Sequence, residues 1–135
     1  LVFSDHTAKA TLEAILHPLI REHSEARCAD ATSAPYVLLV VPLLIESGSY
    51  RRRTDRILVV DCDEAVQIAR VMTRSGLAAG EAEAIMATQV SRLERRAAAD
   101  DVVLNDRELD ALAPQVDGLH RQYLELAMAK AHAGR

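Results

Sequence analysis

The sequence predicts an α/β fold built on a mainly parallel sheet, from three observations. Tyr36 to Val41 and Ile57 to Val60 are unbroken apolar runs rich in β-branched residues, the pattern of strands covered on both faces. A shorter run, Val102 to Leu104, adds a third strand. Segments of helical periodicity separate the second run from the third and flank the set, and buried strands alternating with helices are the mark of a layered α/β domain. The length of 135 residues, with 50% hydrophobic, suits one such domain.

Taken in order, the chain opens with apolar positions Leu12, Ile15, Leu16, Leu19 and Ile20 at helical spacing, with Ser4 or Asp5 available as a cap. Pro18 lies inside this pattern, so two helical pieces or one kinked helix are expected. Ser33, Ala34 and Pro35 punctuate the chain before the Tyr36 strand, and Pro42 ends that strand. After Gly48 and the basic triplet Arg51-Arg52-Arg53, the Ile57 strand closes at Asp61. Asp63 reads as the N-cap of a helix running to about Arg74, and Gly76 and Gly80 bracket a turn. A helix is expected from about Glu81 to Ala99, ahead of Asp100-Asp101 and the third strand. A last helix carries Leu109, Leu112, Val116, Leu119, Tyr123 and Leu126, with Pro114 as an expected kink.

Composition removes several function classes. The aromatic residues are Tyr36, Tyr50, Tyr123 and Phe3, with no Trp, which disfavours base-stacking nucleic-acid modules. A net charge of −4 argues against a general binder of phosphate backbones while leaving room for a local basic site. Cys28 and Cys62 form no C-x-x-C pair, so neither a zinc site nor a redox motif is indicated, and a reducing cytoplasm is the simple expectation. No apolar run approaches the ~20 residues of a membrane span. The chain starts at Leu1 rather than Met, which points to a fragment of a longer product.

The chemistry concentrates in arginine. Arg70, Arg74, Arg92, Arg95 and Arg96 fall on two neighbouring helical stretches, and both Arg70/Arg74 and Arg92/Arg96 have the i,i+4 spacing at which like charges repel. Only Arg96 has an acid three or four residues away to offset it, at Asp100. Guanidinium forks match phosphate oxygens, so a polyphosphate is one explanation; solvated helix faces in a chain with fourteen Arg and two Lys are the other. In a parallel sheet ligands bind beyond the carboxyl ends of the strands, where Glu46, Asp61 and Asn105 stand, although Asp and Asn are also ordinary loop starters. His17, beside Pro18, suits either a ligand-binding or acid–base role or a buried, hydrogen-bonded structural one. No H-E-x-x-H, G-x-S-x-G or G-x-G-x-x-G occurs.

In order, the chain contains His17-Pro18-Leu19-Ile20, Val41-Pro42-Leu43-Leu44-Ile45-Glu46, and Val59-Val60-Asp61 followed by Gln67-x-x-Arg70-x-x-x-Arg74. Then come Gln89-x-x-Arg92-x-x-Arg95, Ala99-Asp100-Asp101-Val102-Val103-x-Asn105, and Leu119-His120-x-x-Tyr123-Leu124. This series resembles the dephospho-coenzyme A kinase family over nearly the whole chain. The resemblance implies ATP-dependent phosphorylation of the 3′-hydroxyl of dephospho-coenzyme A, the last step of coenzyme A synthesis, with Mg²⁺ and no nucleic-acid or membrane partner. It gives Arg70 and Arg74 direct catalytic roles on a lid, Arg92 and Arg95 contacts with nucleotide phosphates, and Asn105 a place near the adenine. His17, Pro42, Leu43 and Glu46 would shape the acceptor pocket. The implied architecture is a P-loop kinase-like three-layer fold plus a helical lid. Residues 1–135 would be a partial kinase domain: 1–35 a helical acceptor-binding region, 36–61 and 100–135 core, and 62–99 lid.

One departure is large. The family's G-x-x-x-x-G-K-[ST] loop, which cradles phosphates and supplies a Mg²⁺ ligand, occurs nowhere in these residues, so no metal ligand is assigned among them. The resemblance places the strand before that loop between the Tyr36 and Ile57 strands, so the sheet is expected to be incomplete at its centre. The chain alone is therefore expected to be inactive. Two rival readings are another nucleoside or nucleotide kinase and a non-catalytic nucleotide-binding or interaction domain.

Overall fold

The computed structural model describes residues 6–48 and 51–133. Two compact units divide the chain: residues 1–40 with 123–135, and residues 41–122.

The first unit holds the whole of α1 (His6–Asp30) and the end of α6 (Ala113–Ala133). Ser4 and Asp5, the expected caps, lie outside the described residues. Pro18 does not split α1: the helix runs on as one element of 25 residues, because one lost backbone bond is outweighed by the intact turns on either side. Leu12, Ile15, Leu16, Leu19 and Ile20 are all exposed, so the periodicity marks a real helix but not a covered face. Tyr36 meets Tyr123 edge to face, centroids 5.5 Å apart at 77°.

The Tyr36 to Val41 strand does not form. A strand exists only where a neighbour takes its backbone groups, and no strand among the described residues lies beside this run. Apolar, β-branched composition signals a surface suited to burial; it does not supply the partner. Val40 is 88% exposed, and Val37, Leu38 and Leu39 are exposed beside it.

The second unit contains the sheet. β1 (Leu58–Asp61) and β2 (Asp101–Leu104) pair in parallel, with Leu58 opposite Asp101 and Asp61 opposite Leu104. Ile57 is left outside the ladder because its backbone is already engaged: its N–H donates to Asp100 Oδ2 at 2.7 Å, and its carbonyl accepts from Asp100 and Asp101. Arg56 makes a fork to Asp101, with Nε–Oδ2 2.7 Å and Nη2–Oδ1 3.0 Å, clamping the entry to both strands. Ile57, at the entry to β1, and Val103 of β2 are buried, as is Ala82 on α4.

The connection from β1 to β2 runs through α3 (Glu64–Ser75), α4 (Ala79–Met86) and α5 (Arg92–Ala98). Asp63 caps α3 as expected, accepting from Ala65 N–H at 3.0 Å. Gly76, at φ 68°, ends it by donating to Met72 O, a left-handed conformation that glycine adopts without penalty. The single helix expected over Glu81 to Ala99 is instead two. Ser91 breaks it by starting a new N-terminus: its Oγ accepts from Glu94 N–H, and Glu94 Oε2 accepts from Ser91 N–H. Pro114 is no kink either, since it occupies the first turn of α6, where its missing N–H has no intrahelical partner to lose. Leu109 falls in a separate 3-10 turn, Leu109–Ala111.

Candidate functional site

At the carboxyl end of β1 the chain places a carboxylate it must then neutralise. Asp61 is the last residue of the strand and 4% exposed, and burying an unpaired charge there would be prohibitive. α5 solves this by presenting Arg92 and Arg96, one turn apart on the same face. Arg92 makes a fork, Nε to Oδ1 at 2.8 Å and Nη2 to Oδ2 at 2.9 Å, and Arg96 Nη1 reaches Oδ2 at 2.5 Å. The i,i+4 repulsion between these arginines is thereby turned into joint attraction to one anion. A weaker arm runs from Arg92 Nη1 to exposed Asp63, 3.4 Å away.

The electrostatics follow the geometry. The hydrogen bonds from Arg92 are the largest influence on the Asp61 carboxyl; with help from Arg96 they overcome burial and lower its pKa from 3.8 to about 2. Reciprocally, the bond to Asp61 holds the Arg92 guanidinium above its ordinary value. Glu94 is also pulled down, first by the Ser91 hydroxyl and then by the Ser91 backbone N–H.

The partner that sequence spacing offered to Arg96 was Asp100. The structure corrects this: the Asp100 carboxylate caps Ile57, and Arg96 goes to Asp61. The arginine cluster is thus partly neutralised from within the chain, by an acid too distant in sequence for helical spacing to find. The signal available was position alone, an Asp closing a buried strand at the edge where ligands bind.

The same edge gathers further groups. Asn105 N–H donates to Asp61 O at 2.8 Å, and the Asn105 carbonyl accepts from Arg70 Nη1. Arg70 Nη2 also donates to Arg107 O at 3.2 Å, and Nη1 lies 3.7 Å from Cys62 Sγ. Arg70 therefore secures the loop after β2, a role its spacing did not reveal. Gln115 closes the free side of β2: its Oε1 accepts from Leu104 N–H at 2.9 Å and its Nε2 donates to Leu104 O at 3.0 Å, imitating a neighbouring strand. A cavity of about 220 Å³ opens beside it, lined by Leu104, Asp106, Arg107, Ala111 and Gln115.

The other expected site residues are more dispersed. Arg95 is half-buried and donates to Gln89 Oε1 at 3.3 Å, and Arg74 is exposed with no side-chain partner among the described residues. Glu46, on the one-turn helix α2 (Leu44–Ser47), accepts from Val90 N–H at 3.1 Å and so ties that turn to the segment just before α5. Pro42 and Leu43 are exposed, and Leu43 takes the left-handed conformation at φ 56°, unfavourable for a side chain of its kind. His17 is exposed on α1 in the other unit, which rules out the buried structural role. Among the described residues no group of three or more His, Cys, Asp or Glu could hold a metal ion.

Comparison with known proteins gives this geometry a family. Residues 1–111 match the dephospho-CoA kinase family. The chain is 57% identical over 132 residues to the dephospho-CoA kinase of Dechloromonas aromatica, covering 98% of this chain and 63% of that protein. It is also 57% identical over 130 residues to the one from Burkholderia thailandensis, covering 96% of this chain and 64% of that protein. Among solved structures, TT1252 from Thermus thermophilus superposes with a TM-score of 0.75 at 31% identity, over 90% of this chain and 62% of that one. Dephospho-CoA kinase from Campylobacter jejuni superposes with a TM-score of 0.57 at 24% identity, over 98% of this chain and 62% of that one, a likeness of fold. The chain thus spans a little under two thirds of the length of the proteins it matches. Matched over most of its length, and carrying the arginine and strand-end motifs at one sheet edge, the chain belongs to the dephospho-CoA kinase family.

Proposed function

We propose that these residues form the lid, the nucleotide-phosphate side and the acceptor side of a dephospho-CoA kinase, which transfers a phosphoryl group from ATP to the 3′-hydroxyl of dephospho-CoA in the cytoplasm. The observation that carries the reading is the set of guanidinium groups at the carboxyl edge of β1, in a chain of this family. Two guanidinium groups face one buried carboxylate there, and Arg70 of α3 reaches the adjoining loop, so the edge offers cationic donors to an incoming anion.

On this reading residues 62–99 are the lid, residues 36–61 and 100–135 the core, and residues 1–35 an acceptor-binding region. Arg92 and Arg95 hold nucleotide phosphates, and Arg70 and Arg74 stabilise charge on the transferring phosphoryl group. Asn105 lies towards the adenine, and His17, Pro42, Leu43 and Glu46 shape the acceptor pocket. A guanidinium carries five N–H donors; Arg92 spends three on Asp61 and Asp63, leaving two for phosphate oxygens.

The Mg²⁺ that the family implies is not fitted by these side chains. The buried carboxylate at this edge, Asp61, has both oxygens committed to arginine. The ion's ligands are expected instead in a phosphate-binding loop of the kind this sequence does not contain. Neither nucleic acid nor membrane is a partner on this reading, and no helix among the described residues is long and apolar enough to cross a membrane.

The test uses the complete gene product. It is expected to release ADP from ATP when dephospho-CoA is supplied, and to show little turnover with nucleoside monophosphates. Preference for a nucleoside monophosphate would favour the rival kinase reading. ATP binding without turnover of either acceptor would favour a non-catalytic module.

A further inference from the structure

We infer that Asp61 is a positioning residue: it fixes the guanidinium groups of α5 at the sheet edge so that they receive nucleotide phosphates without rearranging. The inference rests on the kinase reading above and assigns a role to a residue which that reading leaves unused.

Three features support it. Asp61 is buried while Arg92 and Arg96 remain 32% and 45% exposed, so the anion is inside and its cations face outward. Both carboxylate oxygens are occupied, one by Arg92 alone and the other by both arginines, which sets the plane of the Arg92 fork and leaves that side chain little rotational freedom. The Asp61 carbonyl also accepts the Asn105 N–H, and the Asn105 carbonyl accepts from Arg70. One residue thus ties α5, the end of β2 and, through Arg70, α3 into a single frame. Pre-set donors cost less ordering when an anion arrives than donors recruited from solvent.

The opposite role, an internal anion that competes with the nucleotide for the same arginines, is disfavoured by burial. If phosphates drew Arg92 and Arg96 away, the carboxylate would be left uncompensated in a site nearly closed to water. The two roles predict opposite signs for one substitution.

In the complete gene product, Asp61→Asn keeps the shape and removes the charge. It is expected to raise KM for ATP by about tenfold or more, the loss of a charge-assisted hydrogen bond, while KM for dephospho-CoA changes less. Asp61→Glu, which restores the charge, is expected to recover part of that loss. Combining Asp61→Asn with Arg92→Lys should be no worse than the more damaging single change, because both break one clamp. Circular dichroism and the thermal midpoint accompany each measurement. Should Asp61→Asn alone fail to fold, Asp61→Asn combined with Arg96→Met, which removes one stranded cation, carries the same measurement. A lower KM for ATP would overturn the inference in favour of competition. An unchanged KM with a lowered thermal midpoint would reduce Asp61 to a structural residue. A wild-type product inactive with dephospho-CoA would instead defeat the kinase reading itself.

Discussion

Asp61 also sets how the fold responds to acid. Its pKa is 3.8 without its partners and about 2 in the folded chain. A depressed folded value means that the stabilisation is fully present above the unfolded pKa and is lost as pH falls through the folded one. The affected window is therefore roughly pH 4 down to pH 2, and the contribution at neutral pH is about 2 kcal/mol at most. Urea unfolding of the complete protein and its Asp61→Asn variant is expected to show a stability gap at pH 6 that narrows by about that amount at pH 2. A gap constant across the window would show that the carboxylate's charge contributes nothing. Sequence reasoning found the arginines and placed Asp61 at its strand end but did not join them, because the pairs span 31 and 35 residues and helical spacing only searches three or four. For the same reason, the exposed position of His17 and the engagement of Arg70 with two backbone carbonyls became visible only in three dimensions.

α3 and α5 depend on their termini more than on packing, since neither has a fully buried residue. For α5 the reciprocal bonds between Ser91 and Glu94 set where the helix begins, and hence where Arg92 stands, one residue further on. Ser91→Ala removes the acceptor for Glu94 N–H and a hydroxyl that holds Glu94, and it is expected to cost about 1 kcal/mol. Chemical denaturation measures that loss. If α5 frames the nucleotide arginines, KM for ATP should rise by a small factor as well, and a stability loss with unaltered KM would separate the cap from the site. Reading one helix over Glu81 to Ala99 missed this N-terminus, although Ser91-x-x-Glu94 is a capping signature. The start of α3 at Asp63, its stop at Gly76, and the positions of β1 and β2 were all read correctly, because caps and buried strands leave strong local marks. The Tyr36 to Val41 run was misread, because pairing is a property of two segments and only one of them was on view.

Exposure across both units shows what these residues lack as an isolated chain. Ile57, Ala82 and Val103 are the buried apolar side chains among the described residues, whereas Val40, Leu93 and Leu109 are each at least 78% exposed. A sheet of two strands is marginal in water without a third strand or a covering layer, and among the described residues β1 and β2 form no larger sheet. Apolar runs left open in this way bind hydrophobic dyes and aggregate. The isolated 135-residue chain is therefore expected to enhance the fluorescence of such a dye strongly, to unfold in urea with a broad, weakly cooperative transition, and to make no ADP when given ATP and dephospho-CoA. The complete gene product is expected to bind little dye and to unfold sharply, because cooperative unfolding follows from a shared core that these exposed side chains would help to fill. The comparison tests one physical statement, that the exposed faces of α1 and of the Tyr36 to Val41 run are surfaces suited to burial. A sharp transition and low dye binding by the isolated chain would show that its thin core suffices. Kinase activity from the isolated chain would show that its arginines can hold and activate ATP without a glycine-rich loop in the same polypeptide.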